Sequence, residues 1–247
     1  MIVRDLGDAW QVVMQTDHAD LSAAFARAWA AALKPSLVVA TERHDDGWAV
    51  WEQAPRVDGD GKPVNFLEVD VRSHLAFYRA GIAAITEQDA DAGLLVSMHG
   101  AGIYRRRYGL DPALGLARAA EAQEEVDAFV AEQEAKFGGE PGERQADYEL
   151  LQLFDRLSLY FCMRDVDGGE GAELQGYRLE PVAPWHVRLT PFPFGRDPAR
   201  FSLVRRLVAK NGRPDILSIA PESLEITIDP QRASGRSLAD ALRPHVA

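Results

Sequence analysis

The sequence predicts a mainly α-helical bundle that carries a small antiparallel β-layer. Apolar residues recur at helical spacing through most of the first 165 residues, and short β-branched runs between turn signals fill the remainder. A chain of 247 residues is long enough to bury a core of its own. We therefore expect a helical domain at 1–164, with short strands in residues 1–15, and a β-rich C-terminal subdomain at 165–247 packed on it.

The N-terminal elements are two short strands followed by a helix. Residues 1–15 contain two extended pieces, MIVRDL and WQVVMQ, separated by a glycine turn signal. The segment 18–33 is rich in alanine and has large apolar residues four apart, which predicts a helix that ends before Pro35. Residues 36–43 are apolar and short, so they fit either a strand or a helix.

Four further helices are predicted after a loop at residues 53–66, which is rich in proline and glycine. Their patterns cover residues 67–87, 90–103, 111–136 and 144–163. After these helices, the segments HVRLTPF, FSLVRRLVA, DILSIA and SLEITI are rich in β-branched residues and lie between turn residues. These segments form the predicted β-layer, and the N-terminal strands join it.

Charge and composition exclude some partners and locations. The net charge of −11 argues against a nucleic acid or an anionic membrane surface as partner, because both require a positive field. The single cysteine, Cys162, fits a reducing compartment. The sequence shows neither a secretory leader nor an apolar run of about 20 residues, so we expect a cytoplasmic protein.

Four of the six histidines lie at positions that a buried site could use. His18 opens the first predicted helix on its apolar stripe. His74 shares a helix face with two aromatic residues, and His99 follows Leu95 by four residues on an apolar face. The fourth, His44, is followed directly by an aspartate.

Asp155 is a carboxylate on an apolar helix stripe, where an unpaired charge is costly. An ordinary hydrogen bond to a neighbouring helix would explain it, as it would each histidine taken singly. Together, four imidazoles and two carboxylates suit a dinuclear site for Fe, Mn, Co or Zn. The predicted metal ligands are His18, His44, Asp45, His74, His99 and Asp155.

The order H…HD…H…H…D resembles the HD-domain superfamily of metal-dependent phosphohydrolases, and within it the branch that carries two metals. The resemblance implies a helical bundle with two divalent ions, iron being favoured over Mn, Co or Zn. The first ion would be bound by His18, His44, Asp45 and Asp155. The second would be bound by His74, His99 and a bridging Asp45.

The same six-ligand set also resembles the diiron oxygenases of that superfamily, which are similar to inositol oxygenase and the phosphonate-cleaving oxygenases. Many superfamily members have a lysine shortly after the HD pair that contacts substrate phosphate, and Trp48 occupies that place here. The segments QTDH (15–18) and HDDGW (44–48) also resemble an uncharacterised bacterial family of unknown function, over most of the chain.

The candidate substrate-binding residues are Arg105, Arg106 and Trp48. The run of three arginines at 105–107 is the most basic stretch of the chain, and guanidinium pairs bidentately with phosphate or carboxylate. A solvated helix end would explain the same run, and core packing would explain Trp48. Asp45 and Asp46 are the candidate catalytic residues, although Asp46 also fits a simple helix-end acid.

The sequence therefore predicts a metal-dependent phosphohydrolase that acts on a small anionic, phosphorylated substrate. In such an enzyme, the ions lower the pKa of a bound water and polarise the phosphoryl oxygen. Two alternatives stay open: a diiron oxygenase that cleaves a C–H, C–C or C–P bond, and a non-catalytic helical protein that binds a ligand. The C-terminal region fits a lid, the strand layer of a homodimer, or scaffold.

Overall fold

The computed structural model describes residues 1–109, 122–139, 141–164, 169–210, 212 and 214–231. Within these residues, the chain forms seven α-helices and one seven-stranded sheet. The helices are α1 (Gln15–Ala28), α2 (Pro35–Arg43), α3 (Ala49–Glu52), α4 (Val71–Gln88), α5 (Ala90–Tyr104), α6 (Gln123–Phe137) and α7 (Gln145–Met163). The strands are β1 (Ile2–Asp5), β2 (Ala9–Val13), β3 (Ala172–Leu174), β4 (Tyr177–Ala183), β5 (His186–Thr190), β6 (Ala199–Ala209) and β7 (Glu222–Pro230).

The sheet joins both ends of the described chain in the order β1-β2-β6-β7-β5-β4-β3. The N-terminal hairpin is added through β2, which pairs antiparallel with β6. β5 and β7 run parallel, with Val187 opposite Ile228, whereas the other neighbouring strands are antiparallel. The sheet is therefore mixed.

The predicted fold class, a mainly α bundle with a small antiparallel β-layer, is wrong. About 52% of the structure is helical and about 23% is strand, and the mixed sheet curls into half a barrel, so this is an α/β fold. Two strands, β3 and β4, have no counterpart in the prediction, because β3 has only three residues and β4 contains Glu180 and Pro181 in place of a β-branched run. The N-terminal strands and β6 then connect what was expected to be a small layer into one large sheet.

Local sequence features mark the first residues of three helices, although α4 begins four residues later than its expected start at 67. Pro35 occupies the first turn of α2, where its missing N–H is not needed. Asp70 and Asp89 cap α4 and α5, and their carboxylates accept from the backbone N–H groups of Ser73 and Ala92. The ambiguous segment 36–43 is part of helix α2.

Other boundaries differ from the prediction. The helix expected at 18–33 ends at Ala28, and the next residue, Trp29, forms a β-bridge with Phe194. The segment DILSIA was expected to be a strand but contains a short 3-10 helix, Ile216–Ser218. Of the helix expected at 111–136, the part before residue 122 lies outside the described residues.

Helix α7 contributes to two hydrophobic cores. Its residues Phe154 and Phe161 pack with α1 and the sheet, in a core that also contains Phe25 and Ile228. Residue Leu151 belongs to the second core, which lies among helices α2, α4, α5 and α6. The first core combines residues from before and after residue 165, and the division into two subdomains at that point stays a prediction.

Helix α4 approaches the turn after α2 closely enough to require glycine. A Cβ on Gly47 would lie 1.9 Å from the backbone oxygen of Phe77, and a Cβ on Gly81 would lie 2.9 Å from the backbone nitrogen of Gly47. Two glycines therefore allow backbone-to-backbone contact between α4 and the segment that carries Asp45.

Among the helices of the described residues, none combines the length and the apolar character that a membrane span requires.

Substitution Gly47→Ala should destabilise the protein, because the new methyl group overlaps the backbone of α4. We expect a loss of at least about 1–3 kcal/mol of unfolding free energy, measured by chemical denaturation. Gly59→Ala is the control, because a Cβ there meets nothing within 4 Å. Equal stabilities for the two variants would contradict this packing.

Candidate metal centre

Two histidines from different helices point their Nε2 atoms at each other. His18 lies in the first turns of α1 and His44 follows the last residue of α2, and their Nε2 atoms are 3.2 Å apart. The Nδ1 atom of His44 lies 2.8 Å from the backbone oxygen of Thr41, and that of His18 lies 2.5 Å from the hydroxyl of Ser158. Nδ1–H groups that donate to these oxygens leave both Nε2 lone pairs available to a ligand.

Two buried carboxylates surround these imidazoles. Asp155 Oδ1 lies 3.2 Å from His18 Nε2 and 3.7 Å from His44 Nε2. Asp45 Oδ2 lies 3.8 Å and 3.6 Å from the same two atoms. Asp45 precedes a short 3-10 helix but does not cap it through its side chain, so the carboxylate is free to face the imidazoles. The four residues are all buried.

The spacing of these donor atoms fits a metal ion. Nitrogen and oxygen ligands about 2.1 Å from an ion lie about 3.0 Å apart in octahedral and about 3.4 Å apart in tetrahedral geometry. The observed separations of 3.2–3.8 Å are close to these values. His18, His44 and Asp155 form one candidate metal-binding group, and His44, Asp45 and His99 form another, with the donor atoms of each group within 4.8 Å of one another.

The charges of the site are balanced internally. Burial alone would lower the pKa of His44, but the carboxylates of Asp45 and Asp155 raise it to about 9. Burial would raise the pKa of Asp155, but the guanidinium of Arg107 and the nearby imidazoles hold it well below its usual range. A proton on His44 and the charge of Arg107 therefore offset the two carboxylates, and a metal ion would displace that proton.

Arg107 reaches this site through an unusual turn. Residues Arg106, Arg107 and Tyr108 all have left-handed backbone conformations, with φ between 49° and 51°. This turn follows α5 directly and brings Arg107 back to α7, where its NH1 donates to Asp155 Oδ2 at 2.5 Å. Each non-glycine residue in this backbone region costs conformational free energy, so contacts such as that of Arg107 with Asp155 must hold the turn in place.

A chain of buried hydrogen bonds runs from Arg107 to Asp45. Arg107 donates to Gln152 Oε1, so the Gln152 amide nitrogen donates to His99 Nδ1 at 2.8 Å. Burial lowers the pKa of His99 to about 3, so the ring is neutral and carries its one proton on Nε2. That nitrogen lies 3.3 Å from the hydroxyl of Tyr78, which donates to Asp45 Oδ1 at 2.7 Å. Every donor in this chain thus has an acceptor.

His74 lies beside the buried cluster without joining it. The cluster consists of His18, His44, Asp45, His99 and Asp155. Its Nδ1 is 2.7 Å from the hydroxyl of Tyr104, and burial lowers its pKa to about 4. Among the described residues, His74 is in neither candidate metal-binding group. In this hydrogen-bond pattern, His99 presents an N–H to Tyr78, and the assignment of His74 and His99 to a second ion stays a prediction.

The cluster forms the floor of a cavity of about 370 Å³. His18, Asp45, His74, His99 and Asp155 line it. This volume lies at the lower end of the range for small-molecule sites. Five of the six predicted metal ligands therefore line one cavity. The sixth, His44, is buried and does not line it.

Three other predicted site residues point elsewhere, and one lines the cavity. Asp46 accepts from Arg43 Nε at 2.6 Å, and Arg105 forms an exposed ion pair with Glu134. Trp48 is buried, packs against other aromatic rings and does not line the cavity. Arg106 does line it.

Four residues of the site were not among the predicted site residues: Tyr78, Arg107, Gln152 and Ser158. Two of them carried a recognisable signal. Gln152 and Ser158 lie three residues before and after Asp155, which places all three on one face of α7. The turn that directs Arg107 inward, by contrast, has no signal in the sequence.

Fold and site together define an α/β protein with a buried His/Asp cluster at the floor of a small-molecule cavity. The chain belongs to the family described as "Protein of unknown function (DUF3891)", whose family model matches residues 1–210. The resemblance to a family of unknown function is thereby confirmed. No curated protein and no solved structure matches the chain.

Substitution Arg107→Ala should strongly destabilise the metal-free protein, because it leaves the buried Asp155 carboxylate without its guanidinium. We expect a loss of about 3–5 kcal/mol of unfolding free energy. Arg105→Ala is the matched control, because its ion pair with Glu134 is exposed and should contribute less than about 1 kcal/mol. Denaturation of both variants in the presence of a chelator tests this difference, and similar losses would contradict it.

Proposed function

We propose that the protein is a metal-dependent hydrolase that acts on a phosphorylated small molecule, with one divalent cation held by His18, His44, Asp45 and Asp155. The observation that carries the proposal is the convergence of two oriented imidazole Nε2 atoms and two carboxylates at the floor of a cavity. Imidazole and carboxylate ligands suit Zn, Mn, Fe or Co. When bound, such an ion lowers the pKa of a coordinated water and polarises a phosphoryl oxygen.

The protein's own groups would position this chemistry. Tyr78 fixes Asp45 by donating to Oδ1, which leaves Oδ2 directed toward the two imidazoles. Ser158 and the backbone oxygen of Thr41 hold the imidazole rings in place. Arg106 lines the cavity, is exposed and forms no ion pair with a described residue, so it is available to an anionic substrate.

A diiron oxygenase is the second candidate function, and one observation favours it. His44, Asp45 and His99 also place donor atoms within 4.8 Å of one another, as a second ion would require. The hydrogen-bond chain favours the single-ion site, because it places the proton of neutral His99 on Nε2. Metal content separates the two functions: about one ion per chain supports the hydrolase, whereas two irons and oxygen consumption support the oxygenase.

The metal itself is tested by elemental analysis of protein purified without chelators. We expect about one divalent ion per chain in the native protein, and its loss in Asp45→Asn because that change removes a ligand charge. Asp46→Asn is the matched control, since Asp46 is paired with Arg43 instead of the cluster. If the native protein binds none of Fe, Mn, Co or Zn on titration, the proposed function is wrong.

The role of Tyr78 is tested by a pair of hydroxyl deletions. Tyr78→Phe removes the donor to Asp45 and should weaken metal binding about 10- to 100-fold, as loss of a group that orients a ligand does. Tyr148→Phe is the control, because the buried Tyr148 hydroxyl has no hydrogen-bond partner among the described residues. Titration calorimetry with one metal measures the affinity of both variants. Equal affinities would show that the Tyr78 hydroxyl does not orient a metal ligand.

A further inference from the structure

The walls of the cavity differ in chemistry from its floor. Between the cluster and the solvent, apolar side chains from four parts of the chain line the space. They include Leu67, Val69, Val71, Ile103, Leu159 and Met163. An enclosed space with apolar walls and a polar end is suited to a molecule with the same division.

The exposed part of the cavity lining includes two large apolar side chains. Leu67 is 43% exposed and Met163 is 41% exposed, and both line the cavity. Exposed leucine or methionine side chains are ordinary when isolated, but these two border the same opening. A ligand with an apolar body that extends to this rim would remove them from water.

Polar groups on the walls are few. Apart from the histidines and aspartates of the floor and their partners Tyr78 and Arg107, the polar side chains that line the cavity among the described residues are Gln15, Tyr104 and Arg106. The Tyr104 hydroxyl is already paired with His74. A sugar or nucleoside with several hydroxyl groups would leave most of them unpaired here, at a cost of about 1–3 kcal/mol for each buried group. The walls therefore disfavour polyhydroxylated substrates.

The floor favours a negatively charged head group. The charge of Arg107 and that of a divalent cation together would exceed the charges of Asp45 and Asp155 by one, and Arg106 lines the same cavity nearer to the solvent. The cavity volume of about 370 Å³ corresponds to about twelve groups the size of a water molecule. A phosphate head would occupy about four or five of them and leave space for about seven or eight carbons.

We infer that the substrate is a phosphate ester of an apolar alcohol, with the phosphate at the floor and a chain or ring of about eight carbons along the walls. This inference rests on the proposed function and specifies its substrate class. The apolar body would extend past Val71 and Ile103 toward Leu67 and Met163. The enzyme would thus discriminate against sugar phosphates and nucleotides through the apolar walls of the cavity and not through the metal.

The test uses n-alkylphosphonates from methyl to dodecyl, which resist hydrolysis, titrated calorimetrically into the full-length metal-loaded protein below their micelle concentrations. Affinity should rise about fourfold for each methylene up to about octyl and then level off. Glycerol phosphate and a nucleoside monophosphate should bind no better than methylphosphonate. Equal affinities for methyl- and octylphosphonate, or tighter binding of the polar compounds, would overturn the inference.

Two leucines of similar exposure provide the matched variants. Leu67→Ser should weaken binding of octylphosphonate about fivefold or more, while methylphosphonate binds as before, because only the longer chain reaches the mouth. Leu217→Ser is the control, since Leu217 is 45% exposed and does not line the cavity. Equal effects of the two changes on octylphosphonate would contradict the placement of the chain at the mouth.

Failure of this inference is distinguishable from failure of the proposed function. Metal-dependent release of phosphate from glycerol phosphate, without any chain-length dependence, would overturn the substrate class and leave the hydrolase in place. Chain-length-dependent binding that is unchanged by chelation, without phosphate release from octyl phosphate, would support the apolar site and overturn the metal-dependent hydrolase.

Discussion

The site is organised around the cost of burying two carboxylates. Asp45 and Asp155 are both buried beside the same pair of imidazoles, and an uncompensated buried charge is among the most destabilising features a protein can contain. Arg107 compensates Asp155 directly, and Tyr78 donates to Asp45. The left-handed turn after α5 brings Arg107 to Asp155, and the two carboxylates raise the pKa of His44, so both features help to meet this requirement. A divalent cation meets the same requirement more completely, which is why the arrangement suits a metal.

The longer helices of the fold were predictable because they carry strong local signals, whereas the segment of α2 was left as strand or helix and α3 was not predicted. Regular apolar spacing, an aspartate before α4 and another before α5, and Pro35 at the start of α2 are all features of the segments themselves. The sheet was not predictable in the same way. Strand β3 has only three residues, β4 contains Glu180 and Pro181, and the pairing of β2 with β6 joins residues nearly 200 positions apart. Such contacts depend on the packing of the whole chain, so the β content was underestimated and the fold class was wrong.

The site shows a similar division between local and distant information. Ligand chemistry depends on residue type, so four imidazoles and two carboxylates could be selected from the sequence, and the structure groups His18, His44, Asp45, His99 and Asp155 closely. The partners that set the tautomers could not be selected. The tautomer of His99 depends on Gln152, whose amide is oriented by Arg107, and the direction of Arg107 is set by three left-handed residues. The sequence also could not show that Asp46 turns toward Arg43, because neighbouring acids differ only in where the backbone points them.

Helix α7 has a consequence for how an ion and the sheet influence each other. One of its sides packs Phe154 and Phe161 against the strands, and another carries Gln152, Asp155 and Ser158 to the cluster. Any ligand that binds to the cluster only when α7 is packed in this position against the strands also stabilises that position. A change on the strand side that lowers the fraction of molecules with α7 in this position lowers the apparent affinity of the cluster for such a ligand by the same factor. Residues far from the cavity on the strands facing α7 would thus help to determine how firmly the proposed cation is held.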